Sequence, residues 1–236
     1  MLKEGDANRE LYLLINYFSK FFIVISFGVI IRKNKKCFKE TKMSNKKYAW
    51  RTRDIMMVAT IGVIFGILFI FWNMLWDVIK PLVLFFKPIR HLIYGFWLIP
   101  AVLAPYIVRK PGAGLISELI AAIVSALIGA KWGIDTIVSG LVQGIGAEII
   151  FGIAFWKNFK IPILMLAGAA SAITAWIHDW IMWYGGTEPL ILGAMLVFII
   201  ISGIFLTGLG SKYLGDALKA TGVLSGFPIA KEKSEE

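Results

Sequence analysis

From residue 54 to residue 211 the chain alternates apolar runs of roughly twenty residues with breaks only a few residues long, such as RKPG at 109–112 and YGGTEP at 184–189. A helix needs about 20 apolar residues to cross the hydrocarbon core of a bilayer. On that rule the runs form six spans, near 54–76, 89–108, 112–130, 133–156, 161–184 and 189–211. Lipid offers the backbone no hydrogen-bond partners, so these runs are helices. The expected fold class is an all-α membrane protein, a bundle of six transmembrane helices. Composition agrees: 58% hydrophobic residues and a mean hydropathy of +0.75 are more apolar than a soluble domain of 236 residues sustains. The second span, HLIYGFWLIPAVLAPYIV, holds Pro100 and Pro105, each of which removes a helix hydrogen bond, and is expected to be kinked and packed inside protein.

A seventh apolar run at 11–31 carries Lys20 in its middle and is the weakest span. It is read either as an additional N-terminal transmembrane helix or as an upstream extension, since MSNKKYAWRTRDIMM from Met43 resembles a natural start. No small-residue cleavage site follows the run, which disfavours a signal peptide. The domain expectation is therefore an N-terminal extension over 1–42 and a six-helix membrane domain over 43–236. Eighteen Lys and Arg fall at 32–53, 109–111, 157–160 and beyond 211, against four on the other side of the core, Lys80, Lys87, Arg90 and Lys131. Positive residues stay inside, so both ends of the core are expected in the cytoplasm and the loops around 77–90, 129–133 and 185–188 outside. The net charge of +10 belongs to lipid and topology rather than to nucleic acid.

Polar groups within a span cost several kcal/mol, about 2.5–3.5 for a central Asp, so each needs a reason. The outer half collects Asn73, Trp76 and Asp77 from the first span, His91, Tyr94 and Trp97 from the second, Trp132, Asp135, Ser139 and Gln143 from the fourth, and the cluster AWIHDWIMWY from the fifth. In that cluster Trp176, Asp179, Trp180 and Trp183 recur at i, i+3, i+4 and i+7, on one helix face, while His178 points elsewhere. Trp183 and Tyr184 are expected to be interface anchors. Trp176, Asp179 and Trp180 lie deeper and are expected to form a pocket wall, because an aromatic face over a carboxylate suits a cation. Glu118 and Glu148 sit at similar depth on antiparallel helices. Their roles stay open among a structural pair, a partner contact and the floor of a binding cavity.

Several chemistries lack their residues. The lone Cys37 can neither close an internal disulfide nor complete a Cys-x-x-Cys pair. His91 and His178 are the only histidines, and no His-Glu-x-x-His or Asp-rich motif accompanies them, which leaves no catalytic or metal set and argues against a membrane enzyme. GLVQGIGAE at 140–148 has glycines but no Gly-Lys-Ser/Thr ending, so it is not a phosphate loop. Its glycines, and the stripe Ala59, Gly62 and Gly66, suit close helix packing, within this chain or against a partner. With no ATP-hydrolysing motif, energy must come from a partner or from an ion gradient. The latter would make the chain a self-sufficient secondary transporter, with Glu118 and Glu148 as proton carriers; no clear inverted repeat or pair of broken helices supports that.

The blocks GFWLIPAVLAPYIVRKPGAGLISELIAA, WGIDTIVSGLVQGIGAEIIF and LGDALKATGVLSGFPIAKE resemble the YkoE type of substrate-binding (S) component of energy-coupling factor (ECF) vitamin transporters, over about 47–231. The resemblance implies a six-helix S component in the cell membrane that binds thiamine or its hydroxymethylpyrimidine precursor from outside. It implies as partners a transmembrane coupling subunit and cytoplasmic ATPase subunits, and no cofactor. Ala59, Gly62 and Gly66 correspond to the stripe that meets the coupling subunit, and Glu118, Gln143 and Glu148 lie in matching blocks. Thiamine joins a cationic thiazolium to an aminopyrimidine, which calls for aromatic faces, a carboxylate and amide or hydroxyl groups. The expected binding set is accordingly Asn73, Trp76, Trp97, Glu118, Trp132, Asp135, Gln143, Glu148, Trp176, Asp179 and Trp180.

Overall fold

The computed structural model describes residues 48–231, and all of its helices belong to the unit that begins at Trp50. The apolar run at 11–31, Cys37, Met43 and the extension 1–42 as a whole lie outside the described residues. Among the described residues all regular structure is helical. Helix α1 (Thr52–Leu82) is followed by a span, Leu84–Val108, that joins a 3-10 stretch (Leu84–Leu98) to α2 (Ile99–Val108). Next come α3 (Ala113–Ile128), α4 (Asp135–Ile153) and α5 (Ile161–Met182). The last span, Pro189–Ala220, consists of α6 (Pro189–Ser202), a π-helical turn (Gly203–Leu209) and α7 (Gly210–Ala220). Five of these six spans are long and apolar enough to cross a membrane, and α3, at 16 residues, is the short one.

The span Leu84–Val108 is the axis of the bundle: 83% of its apolar window is buried, against 33% in α1. Its first part was expected to be α-helical and is instead 3-10, a form that leaves poorer backbone hydrogen bonds and seldom runs beyond a few residues unaided. The aid comes from the π-helical turn and its neighbour. Ser202 Oγ donates to the Leu92 carbonyl at 2.6 Å and accepts the Gly95 N–H at 2.8 Å. Thr207 Oγ1 donates to the Gly95 carbonyl at 2.6 Å. Hydroxyls from a neighbouring helix thus satisfy backbone groups that lipid would leave orphaned. Phe86, with φ −149° and ψ 79°, breaks the helical path near the start of the stretch and lets the chain turn back from α1.

Small residues set the close approaches. A Cβ at Gly62 would meet Ile120 at 2.7 Å and one at Gly66 would meet Val124 at 2.6 Å, so both glycines are occupied by α3. Gly140 and Gly144 of α4 likewise lie against Ala122 and Leu115 of α3, and Gly168 of α5 lies against Gly203. The glycines read from sequence as packing positions are packing positions within this chain.

Helices α2 and α3 each begin beside a carboxylate borrowed from another helix. The first turn of a helix carries unpaired N–H groups and a partial positive charge. Glu118 Oε2 accepts the Ala101 N–H of α2 at 3.1 Å, and Glu148 Oε1 accepts the Gly114 N–H of α3 at 2.8 Å. Each acid is supplied by the next helix along, which ties α2 to α3 and α3 to α4.

Candidate functional site

One end of the bundle encloses a cavity of about 510 Å³, within the size range of small-molecule sites. Helix α1 contributes Asn73, Trp76 and Asp77, spaced i, i+3 and i+4, so that they share a face. The 3-10 stretch contributes Tyr94 and Trp97. At three residues per turn, His91, Tyr94 and Trp97 stand one above another, a stacking that an α-helix would fan out. His91 and Tyr94 are parallel within 3°. Trp76 is the hub of this wall, edge-to-face with His91, Tyr94 and Trp97 at centroid distances of 5.7, 6.0 and 5.0 Å. Trp132 continues it at 5.9 Å from Trp97.

Helix α3 supplies the floor with Glu118, Ala122 and Ser125. Helix α4 presents Asp135, Ser139 and Gln143 along one face, and α5 presents Asp179 and Trp183 at its end. Gln143 Nε2 donates to Ser139 Oγ at 2.7 Å and lies 3.5 Å from the Tyr94 hydroxyl, which presets the amide. Asn73, on α1, is 8% exposed and its Oδ1 accepts no hydrogen bond among the described residues. A buried carbonyl left unpaired costs about 1–3 kcal/mol, and Asn73 is one of the residues that border the cavity.

Charges of both signs line the space. Lys131 pairs with Asp77 at the mouth and stands 4.4 Å from the centroid of Trp132. Arg90 lies 4.1 Å over the Trp76 ring. Asp135 accepts from Trp183 Nε1 at 2.8 Å. His178 is 7% exposed and touches two of the cavity acids, with Nε2 3.1 Å from Asp135 and Nδ1 3.1 Å from Asp179. Burial, and then the neighbouring Asp179 charge, push the Tyr184 phenol above its ordinary value, which keeps it a hydrogen-bond donor at physiological pH.

Eight of the eleven residues in the expected binding set border the cavity: Asn73, Trp76, Trp97, Glu118, Trp132, Asp135, Gln143 and Asp179. Three do not. Glu148 is engaged at the start of α3, where it also accepts from Trp156 Nε1 at 3.0 Å. Trp176 and Trp180 stack on each other at 5.5 Å outside the cavity lining, and Trp180 is 42% exposed. Their places are taken by Trp183 and Tyr184, which had been expected as interface anchors. The cavity boundary runs through the aromatic face of α5: at about 100° per residue Asp179 and Trp183 fall at one margin of that arc and Trp180 at the other. His178 lies a further ~100° beyond Asp179 on the cavity side, and the i, i+3, i+4 pattern gave no sign of it. Tyr94 and Ser139 had been noticed but left out of the set; the three-residue spacing His91, Tyr94, Trp97 was the signal for the first, and the four-residue spacing Asp135, Ser139, Gln143 for the second. Of the small-residue stripe, Gly62 and Gly66 are covered by α3, while Ala59 borders a shallow apolar groove with Trp50, Ile116 and Ile120.

Known proteins place this architecture. Residues 53–174, more than half of the chain, match a family described as "ABC-type cobalt transport system, permease component". A protein of Bacillus subtilis (strain 168) named as the HMP/thiamine permease protein YkoE is 40% identical over 186 residues, covering 78% of this chain and 92% of that protein. A solved crystal structure of an S-component of an ECF transporter superposes with a TM-score of 0.74 at 39% identity, covering 78% of this chain and 92% of that one. Identity at that level over nearly the whole of both relatives extends beyond shared topology, and the chain belongs to the YkoE-type family of ECF-transporter S components, multi-pass membrane proteins of transport.

Proposed function

We propose that this chain captures thiamine or its hydroxymethylpyrimidine precursor in the cavity bordered by Trp76, Trp97, Asn73 and Asp179, and delivers it with a transmembrane coupling subunit and cytoplasmic ATPase subunits. The observation that carries the reading is the meeting, in one cavity, of an aromatic wall with carboxylates and the amide residues Asn73 and Gln143. Trp76, Trp97 and Trp132 offer faces and edges to the rings. Asp179 and Glu118 supply counter-charge for a thiazolium, and Asn73 Oδ1 accepts from the exocyclic amine of an aminopyrimidine. Nanomolar capture needs about 12 kcal/mol, which only several walls together supply. The names of the relatives, one an HMP/thiamine permease and one an ECF S-component, point the same way. A cobalt ion would ask for clustered ligands, and among the described residues no group of three or more His, Cys, Asp or Glu is placed to hold a metal.

The distribution of Lys and Arg favours a cavity mouth on the outer face and cytoplasmic ends of the six-helix core. With Gly62 and Gly66 covered by α3, the groove at Ala59 is the part of the stripe left to receive the coupling subunit. A secondary transporter would need Glu118 and Glu148 free to carry protons, whereas both accept hydrogen bonds at helix starts. Titration of the purified protein with thiamine and with hydroxymethylpyrimidine tests the proposal. Saturable quenching of tryptophan fluorescence, weakened by Asp179→Asn, is expected; binding of neither compound overturns the substrate assignment. Uptake by vesicles that lack any ATPase partner would overturn the dependence on coupling subunits.

A further inference from the structure

His178 is wedged between two carboxylates on different helices. Asp135 comes from α4 and faces Nε2; Asp179 precedes the end of α5 and faces Nδ1, each at 3.1 Å. An ionised carboxylate only accepts hydrogen bonds, and a neutral imidazole donates from one nitrogen alone. Two simultaneous contacts therefore call for a second proton, which makes the ring an imidazolium. The remaining groups nearby leave that count unchanged. Trp183 donates to the other Asp135 oxygen, Tyr94 and Tyr184 lie near Asp179, and Arg90 lies over Trp76 and beside Tyr184. Asp135 and Asp179 border the cavity while His178 does not.

We infer that His178 is a specificity-determining positioning residue: held as an imidazolium between Asp135 and Asp179, it fixes both carboxylates at the cavity and reduces their joint charge to a single negative one. The inference rests on the reading of the cavity as a site for thiamine or its pyrimidine half, which differ by one positive charge. His178 touches no ligand; it sets how strongly the site prefers the cationic compound over the neutral one.

The test is the ratio of the two dissociation constants, for hydroxymethylpyrimidine and for thiamine, measured at pH 8 on the full chain in detergent or nanodiscs. Asp135→Asn leaves His178 balanced by one carboxylate, and the preference for thiamine is expected to fall at least tenfold. Adding His178→Gln restores the single negative charge, and the ratio is expected to return to within threefold of the parent value. A double variant no better than Asp135→Asn, or a ratio that neither change moves, overturns the inference, since a purely structural bridge would weaken both compounds alike. Should those variants fail to fold, nitrogen NMR of the 15N-histidine-labelled parent protein decides, with His91→Asn to assign the two rings. Both nitrogens of His178 protonated at pH 7 is the expected result, and a neutral ring overturns the inference. That readout needs no ligand: if the parent protein binds neither compound, the functional proposal fails while the charge state of His178 is still decided.

Discussion

Glu118 on α3 and Glu148 on α4 perform the same local task in two regions that differ in everything else. Each accepts a backbone N–H at the first turn of a short helix, where unpaired donors and the helix dipole favour an anion. Around Glu148 the space is filled: its second oxygen accepts from Trp156 Nε1, and the chain bends there through Phe155 and Trp156, both at positive φ. Glu118 is only 1% exposed and is also one of the residues that line the cavity. A buried carboxylate with all its acceptor sites used is a structural device. The same device in the wall of a cavity is placed where its replacement can be read in ligand binding as well as in stability.

The difference is sharpest at the aromatic wall. Trp76→Ala removes the hub of four ring contacts and a core side chain 5% exposed. A loss of about 3–5 kcal/mol in stability is expected, together with at least a hundredfold weaker ligand binding. Thermal unfolding and calorimetric titration of the detergent-solubilised protein measure both. Glu148→Leu should separate the two properties in one direction. It strands the Gly114 and Trp156 donors, at about 1–3 kcal/mol for each buried group left unpaired, yet thiamine affinity is expected to stay within threefold. Glu118→Gln should separate them in the other direction. The amide oxygen still accepts from Ala101, so stability is expected to fall by less than about 1 kcal/mol, while thiamine binds some tenfold more weakly. Equal effects of the two glutamate variants on affinity would dissolve the contrast between the two acids. The smallest effect is expected at Trp180→Ala, outside the lining, with affinity changed less than twofold in a fluorescence titration; a large loss there would move the site.

How much of this was legible beforehand depended on whether one helix sufficed to decide it. Six apolar runs gave six spans, and α3 to α5 begin within two residues of their expected positions, because Pro, Gly and hydropathy act locally. Helix α1 runs on to Leu82, well past the expected end near 76, since its last turns are held by tertiary contacts rather than by apolar sequence. The 3-10 form of Leu84–Leu98 was not legible. It depends on Ser202 and Thr207, more than a hundred residues later. The cavity set was legible to the extent that polar residues in apolar helices need a reason. The side of α5 that faces inward was not, since four residues on one arc look alike until the neighbouring helix fixes the rotation. The packing stripe of α1 was open between two readings for the same reason, and the chain's own α3 turned out to occupy most of it.

The π-helical turn at Gly203–Leu209 has a consequence for inheritance and engineering alike. Such a turn is an α-helix carrying surplus backbone, so it sets the phase between α6 on one side and α7 on the other. Upstream, Ser202 addresses Leu92 and Gly95; downstream, Ser211 reaches the Ile99 carbonyl at 3.4 Å, Gly215 lies under the Tyr106 ring and Asp216 accepts from its hydroxyl at 2.7 Å. Deleting the surplus residue would leave a regular helix with α7 in nearly the same phase, whereas winding all seven residues as regular α-helix would rotate everything beyond them by about 100°. Hydropathy would register nothing, yet α7 would present the wrong face to the axis of the bundle. In this segment the winding of the turn, which composition does not record, decides which face α7 shows to the rest of the bundle.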